Sequence, residues 1–575
     1  FYIILGMRLS NYFLPILFEK PKEAVTRSHE LMLKAGLIKR LASGIYSYMP
    51  LSVRVLNKII KIIKEELERI GALEVVLPSL QPKSIWEMTG RWEEYGDDMF
   101  KLKDRKGADW GLGPTHEEVI TLIVKEHVKS YKQLPTILYQ IQPKFRDEPR
   151  PRFGTIRCRE FLMKDAYSFH TTEDSLEETY KAMYDAYCRI FSRCGLKFKV
   201  VEAETGLIGG AESHEFMAQA EAGEDIMVSC NTCEYMANQE KAEIGLGHLQ
   251  QEKEELLPLE LVYTPNKSSV EEVAEYLGIS PSKLAKTLIY HTEKGEIACM
   301  IKGDTKLNET KLKKVLSVKE VTLADSALIE EITKGPVGFT GPIGLEIPII
   351  ADISLKSSNN LIIGANKLNY HYKNANINRD FKITGFYDIC LAEDNYPCPR
   401  CNKGLLRLER CIELGHIFKL GTKYSKAMNG VYINEYGQEM PYIMGCYGIG
   451  VSRIIPAYIE QNNDASGIIW NANICPYQII ILVLDKSQAE KLKLAEELYS
   501  ILQQEKLEVV LDDREETAGR KFYDADLLGF PIQIVIGKKA NKDNIEICLR
   551  RDKKRIFTNF NELPGLAKDL LLTLN

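Results

Sequence analysis

Residues 145–161 read Phe145-Arg-Asp-Glu-Pro-Arg-Pro-Arg-Phe-Gly-Thr-Ile-Arg-Cys-Arg-Glu-Phe161, and residues 445–453 read Gly445-Cys-Tyr-Gly-Ile-Gly-Val-Ser-Arg453. The first stretch puts five arginines in seventeen residues of Pro- and Gly-broken chain, and the second ends a glycine-rich run on a sixth. Guanidinium groups gathered this way suit a polyanionic ligand, because a planar fork bridges two anions and stabilises charge that builds up during a reaction. A third stretch, Gly71-Ala-Leu-Glu-Val-Val-Leu-Pro78, follows a long amphipathic pattern and ends on a proline. Singly each is weak; their order along one chain is what carries the reading.

Working outward, Val53, Leu56, Ile59, Ile60, Ile63, Leu67 and Ile70 recur at three- and four-residue steps, which predicts one helix over Leu51–Ile70 stopped by Gly71. A strand is expected over Leu73–Leu77, and a second helix over Ser175–Cys194. Between them Thr89–His170 is irregular and rich in charge and aromatics, the texture of a site. The middle third differs. Cys230-Asn-Thr-Cys233 and Cys398-Pro-Arg-Cys401 bracket a module with helices expected near Val270–Leu277 and Glu309–Leu316, and strands at Thr287–His291 and Ile297–Ile301. From Pro476 short apolar runs alternate with helical patterns, which predicts a small domain with a mostly parallel sheet. The boundaries expected are therefore 7–234 and 398–475 for a split host domain, 235–397 for an insertion, and 476–575 for the last domain.

Composition narrows the classes. A chain of 575 residues, 45% hydrophobic and 27% charged, has room for about three to five cored domains and is neither disordered nor a disulfide scaffold. No 18 apolar residues run together, so no membrane span is expected. Phe1–Gly6 is too short for a signal-peptide core, and Met7 is read as the start. Thirteen cysteines without a secretory signal point to a reducing cytoplasm. With a net charge of −5, any nucleic acid must meet a local basic surface.

The three opening stretches resemble, in order, the signature motifs of class II aminoacyl-tRNA synthetases. The segments Gly113-Pro-Thr-His-Glu-Glu118, Phe161-Leu-Met-Lys-Asp-Ala-Tyr-Ser-Phe-His170, Gly415-His-Ile-Phe-Lys-Leu-Gly-Thr-Lys-Tyr-Ser425 and Cys446-Tyr-Gly-Ile-Gly450 are similar to the bacterial-type prolyl-tRNA synthetase family. The resemblance implies an α/β multidomain chain: an antiparallel-sheet catalytic domain, an inserted α/β editing domain and an α/β anticodon-binding domain. It implies ATP and Mg²⁺, L-proline and proline tRNA as partners, and a homodimer joined through the first motif.

By resemblance, Arg146 bridges proline and the α-phosphate of ATP, Glu148 meets the adenine amino group, Arg157 and Arg453 hold phosphates, and Phe161 lies against adenine. Gly448 and Gly450 let the backbone approach the nucleotide. Thr115 and Glu117 receive the secondary ammonium, and Phe169, His170 and Cys446 wall the ring pocket. The insertion resembles the family's editing domain, where Lys286, Asp352 and His371 match its positions. Editing has a physical motive: alanine is smaller than proline, and one lost methylene discriminates by only about 1–3 kcal/mol. The two Cys-x-x-Cys pairs, Cys230, Cys233, Cys398 and Cys401, have metal-knuckle spacing and suggest a structural Zn²⁺ at the neck of the insertion; buried thiols or a redox pair are the alternatives. Arg150 is expected to touch the tRNA end, and Arg514, with Arg520, to read the anticodon. A threonine-specific enzyme of the same class and a non-catalytic tRNA-binding relative are the rival readings.

Overall fold

The computed structural model describes residues 7–245, 254–318, 320–401, 403–485 and 487–574. The six residues before Met7 lie outside these. Two compact units emerge: one of residues 1–200, 205–225 and 410–575, the other of 201–204 and 226–409.

The first unit is built on helix α1 (Pro50–Arg69), strand β1 (Leu73–Glu74), helix α2 (Glu117–His127), the antiparallel pair β2 (Thr136–Phe145) and β3 (Glu160–His170), and helix α3 (Glu173–Arg193). Strands β4 (Glu212–Gln219), β5 (Leu406–Gly421) and β6 (Ile443–Gly450) and helix α4 (Val451–Gln461) follow. The strands lie in the order β4-β5-β6-β3-β2-β1, antiparallel except for the short β1. Residues of α1, α3 and α4, among them Ile59, Leu67, Tyr187, Phe191 and Ile455, bury one face of this sheet together with Ala166, Tyr447 and Ile449. The opposite face carries Tyr167, Phe169, Phe418, Met444 and Cys446 under Trp86, Tyr95 and Tyr424.

Side chains alternate along a strand, so pairing register decides which residues meet above the sheet. Gln140 opposes Asp165, Asp165 opposes Gly448, Gly448 opposes His416, and His416 opposes Glu215. One row therefore crosses five strands on one face. In the next row Tyr167, Cys446 and Phe418 stand side by side. Gly445 faces the other way and admits no side chain, because a Cβ there would lie 2.2 Å from the Tyr447 hydroxyl.

The expected helices match α1 and α3 to within two residues. The first-motif strand is shorter than expected: only Leu73–Glu74 pairs, and Leu73 and Val76 are 61% and 78% exposed. Residues 476–575 build a five-stranded sheet ordered Val509–Asp512, Ile479–Val483, Ile532–Ile536, Ile545–Leu549, Arg555–Thr558. It is mixed rather than mostly parallel, since two of its pairings are parallel and two antiparallel. Both antiparallel pairs are joined by short links, eight residues (537–544) and five (550–554), which close hairpins but cannot return a parallel crossover. Val510 of this sheet, with Leu527 and Phe530 beside it, is buried in the same core as the helices behind the first sheet, so the region falls within the first unit.

The second unit holds a five-stranded sheet around the hairpin Ala285–Thr292 and Gly295–Lys302, and a three-stranded sheet of Glu260–Tyr263, Tyr370–Ala375 and Leu361–Gly364. It extends beyond the expected 235–397. Strand Asp225–Cys230 pairs with Met236–Asn238, and Val228, Tyr235, Ala392, Cys398 and Leu406 form a small core around both cysteine turns. Among the described residues no helix is long and apolar enough to cross a membrane.

Leu67 is fully buried behind the sheet. Leu67→Ala should lower unfolding stability by about 2–5 kcal/mol in urea denaturation; a loss below about 1 kcal/mol would contradict the packing described.

Candidate active site

Arg146, Arg157 and Arg453 line one cleft of about 300 Å³ with Glu148, Phe161 and Gly450. The loop between β2 and β3 supplies Arg146 and Arg157, and the first turn of α4 supplies Arg453. Arg157 donates to Glu148 Oε2 at 2.7 Å and to Glu224 Oε2 at 3.0 Å. Arg453 donates to the Ile156 carbonyl at 2.9 Å and to Glu413 Oε2 at 3.1 Å. Both guanidinium groups are thus oriented by fixed acceptors. Among the described residues Arg146 forms no ion pair; its guanidinium lies 5.2 Å above the Phe161 ring. It is the arginine left open to an incoming anion.

Glu215, Glu413 and His416 place three potential ligand atoms within 4.8 Å of one another. His416 Nδ1 is 3.2 Å from Glu215, and its buried Nε2 has no hydrogen-bond partner. Burial pushes this imidazole down to about 4, so it is neutral and able to ligate. Gly448, between His416 and Asp165, leaves open space above the sheet: nothing lies closer than 3.9 Å to a Cβ built there.

On the same face, the start of α2 holds a buried cluster of polar groups around Glu117, the candidate amine pocket. The Thr115 hydroxyl donates to both Glu117 oxygens, at 2.8 and 2.7 Å, and the Cys446 thiol donates to Oε1 at 3.2 Å. Arg91 reaches Glu117 at 3.0 Å. Glu117 is fully buried, and Arg91 holds its carboxyl low against the burial penalty. Phe169 packs edge-on against Tyr442. Beside them Lys144 pairs with Asp165 at 2.8 Å and donates to His116 Nδ1 at 2.9 Å, while the Tyr167 hydroxyl and Gln140 amide also donate to Asp165. Burial and the Lys144 charge lower His116 to about 4, which leaves it neutral.

His170 does not join this pocket. It lies on the opposite face of β3 from Phe169, where Nδ1 meets the Ser175 hydroxyl at 2.9 Å in the first turn of α3. Tyr167 and Asp165, two and four residues before Phe169, occupy the pocket face instead; the period-two alternation of β3 could have found them. Arg91, Glu413 and His416 were missed as well, and only folding brings Arg91 to Glu117.

In the second unit Lys286 and His371 line a pocket of about 340 Å³ with Ser269, Thr340 and Ile363. Lys286 donates to the Gly303 carbonyl at 3.1 Å, and His371 Nδ1 meets the Thr264 hydroxyl at 2.8 Å. Asp352 is absent from the lining. It is fully buried and accepts from the backbone N–H groups of Ser354 (2.9 Å) and Ile389 (3.1 Å), so its carboxylate caps a turn.

The four cysteines of the two pairs come together. Sγ atoms are 3.7 Å apart for Cys230 and Cys401 and 3.6 Å for Cys233 and Cys398, too long for disulfides. A tetrahedron with metal–sulfur bonds of about 2.3 Å has edges of about 3.8 Å. Backbone N–H groups of Thr232, Arg400 and Gly404 donate to these sulfurs, and a Cβ on Gly404 would strike Cys230 Sγ at 2.3 Å. The donor set fits Zn²⁺.

Arg150 is exposed on the β2–β3 loop. Arg514 is not available to bases: it donates to Asp512 at 2.9 and 2.8 Å and to Asp524 at 2.8 Å. Arg520 is likewise held by Asp524 at 2.7 Å.

Residues 100–462 match the family model of the tRNA synthetase class II core domain (G, H, P, S and T), and residues 478–570 that of the anticodon binding domain. The chain is 49% identical to a proline–tRNA ligase of a Thermoanaerobacter species over 98% of its own length and 99% of the relative's. It is 50% identical to the proline–tRNA ligase of Geobacter metallireducens over 93% of each chain. The crystal structure of prolyl-tRNA synthetase from Cryptosporidium parvum, complexed with halofuginone and AMPPNP, shares the fold at a TM-score of 0.58 and 13% identity, covering 95% of this chain and 78% of that one. The chain belongs to the proline–tRNA ligase family.

Proposed function

We propose that this family member activates L-proline with ATP and transfers it to the proline tRNA, Arg146 acting as the bridge between the two substrates. The observation that carries the reading is the shared cleft of Arg146, Arg157 and Arg453, on the same sheet face as the Thr115–Glu117 pocket. Proline's ammonium would be received by Glu117 and Thr115, a cation meeting a buried carboxylate. Its carboxylate would then attack the α-phosphorus of ATP: a carboxylate-oxygen–phosphorus bond forms, the bond to the bridging oxygen breaks, and pyrophosphate leaves with the electron pair. Arg146 would neutralise charge on both reacting groups, and its field already reaches Lys144 in the pocket and Glu413 in the cleft. Phe161 offers a face to adenine, Glu148 an acceptor for its amino group, and Arg157 and Arg453 hold the phosphates. Gly450 lines the cleft, and Gly448 leaves the space over the sheet clear. A terminal hydroxyl of tRNA, guided by Arg150, would take the prolyl group and release AMP.

Glu215, Glu413 and His416 would hold Mg²⁺, which when bound offsets charge on the phosphates. The exposed Leu73 and Val76 beside the unpaired edge of β1 suit burial against a second copy, the expected homodimer. Lys286 and His371 support hydrolysis of alanyl-tRNA, with Lys286 attracting the tRNA 3′ phosphate. Cys230, Cys233, Cys398 and Cys401 would bind structural Zn²⁺, whose four thiolates leave no open position for catalysis. A cytoplasmic location, where tRNA is charged, accords with this reading.

Amino-acid-dependent ATP–pyrophosphate exchange across the twenty amino acids should single out proline, and Arg146→Ala should reduce that exchange by about 10²-fold or more with the fold intact. Near-normal exchange in the variant would refute the bridging role. Lys286→Ala should slow clearance of alanyl-tRNA while proline activation stays at the wild-type rate; undiminished clearance would place editing elsewhere. Elemental analysis of the purified protein should find about one zinc per chain, lost in Cys233→Ser. Absence of zinc from the wild type would end the metal reading.

A further inference from the structure

Three charged side chains beside the amine pocket are fully buried: Arg91, Glu117 and Glu118. One Arg91 nitrogen, Nη1, donates to Glu117 at 3.0 Å and to both oxygens of Glu118 at 3.0 and 3.1 Å. Nη2 donates to the Tyr95 hydroxyl at 3.0 Å, and the rings of Trp86, Tyr95 and Tyr424 surround the guanidinium at 5.0–5.2 Å. Thr89 donates to Glu118 at 2.8 Å. The cage fixes the cation, and the cation fixes both carboxylates.

The charges do not cancel. Two buried carboxylates share one guanidinium as their direct ion-pair partner, one contact cation short. Neighbouring groups do not supply a second contact: Lys144 is already paired with Asp165, and His116 is neutral. Lys423 is near enough to act on both carboxylates but, among the described residues, forms no ion pair with either, its ammonium donating to the carbonyls of Leu207 and Ile208. Glu117, with the Thr115 hydroxyl and Cys446 thiol turned onto it, is the member on the pocket side.

We propose that Arg91 and Glu118 are positioning residues that leave the amine pocket one negative charge in excess, reserved for the ammonium of a small amino acid. Glu118 supplies the surplus charge without touching substrate; Arg91 holds both carboxylates in place and keeps Glu117 from turning away. Burial and Glu117 push the Glu118 carboxyl up while Arg91 holds Glu117 down, so an arriving cation would favour the charged form of Glu118. Selection is then by charge as well as by ring size. A ligand with the right shape but no positive nitrogen leaves the deficit standing.

This inference rests on the proline-activation reading, and the test separates the two. Steady-state pyrophosphate exchange is measured for the wild type and Glu118→Gln, which keeps shape and most hydrogen bonds but removes the charge. The expected result is a proline KM raised by about tenfold or more, with kcat within about threefold and the ATP KM within about twofold. Arg91→Met in the same assay should also raise the proline KM, because both carboxylates then lose the group that holds them. A proline KM for Glu118→Gln within about twofold of wild type overturns the proposal, as does a correctly folded Arg91→Met with a wild-type proline KM. A second measurement needs no variant: tetrahydrofuran-2-carboxylate, proline's ring with oxygen in place of the ammonium, should inhibit the wild type about 100-fold more weakly than proline binds. Inhibition within about tenfold of proline's affinity also overturns it. If the wild type shows no proline-dependent exchange at all, the functional reading fails and this inference falls with it, whereas normal wild-type exchange with an unchanged Glu118→Gln overturns the inference alone.

Discussion

The register between β3 and β6 is the constraint on which the site depends. With Cys446 opposite Tyr167 and Gly448 opposite Asp165, the residues proposed to receive an amine and those proposed to hold phosphates stand on one face. A slip of β6 by one residue would turn Cys446 and Gly448 into the helical core and bring Tyr447 and Ile449 out beside Tyr167 and Asp165. Gly445 guards against this, since no other residue fits beside the Tyr447 hydroxyl. The glycine-rich signature is therefore partly a packing device: none of Gly445, Gly448 or Gly450 has a positive φ.

Given that register, charge is laid out along the strands. Two residues of β-strand advance about 7 Å, so the step from Cys446 to Gly450 separates amine pocket from phosphate cleft by about 13 Å. The pocket carries buried carboxylates held by Arg91, and in the cleft Arg157 and Arg453 are each fastened by their own acceptors. An amino acid is zwitterionic, and a substrate that spans this gradient is oriented before any chemistry occurs. Arg146, without an ion pair of its own among the described residues, sits where the two fields overlap. Its freedom is what distinguishes it from Arg157 and Arg453.

Local elements were legible in the sequence because their signals are local. The apolar steps from Leu56 to Leu67, and the helix Glu309–Leu316 with its Asn308 cap, needed only periodicity and capping residues. The arginine cleft was legible because three arginines and Phe161 lie in recognisable segments. The misses share a cause. His170 is placed in the pocket by the family resemblance, but it is one residue along the strand from Phe169 and so lies on the other side of the sheet. Asp352 and Arg514 are chemically apt residues already engaged, one by backbone N–H groups and the other by Asp512 and Asp524. Prior engagement is a tertiary property, invisible to composition or spacing. Arg91 is the converse case, an ordinary arginine in a helical turn until folding closes Trp86, Tyr95 and Tyr424 around it.

The cysteine cluster shows how little sequence distance means once a module has its own core. Cys230 and Cys401 are 171 positions apart, yet their sulfurs lie 3.7 Å from each other because strand Asp225–Cys230 and the turn before Leu406 pack on the same small group of apolar residues. Closing a loop of that length is entropically costly, but the cost grows only slowly with length, so a few buried side chains can offset much of it. The same pinch brings the two ends of the intervening chain together, as an inserted segment requires if the strands on either side of it are to lie in one sheet.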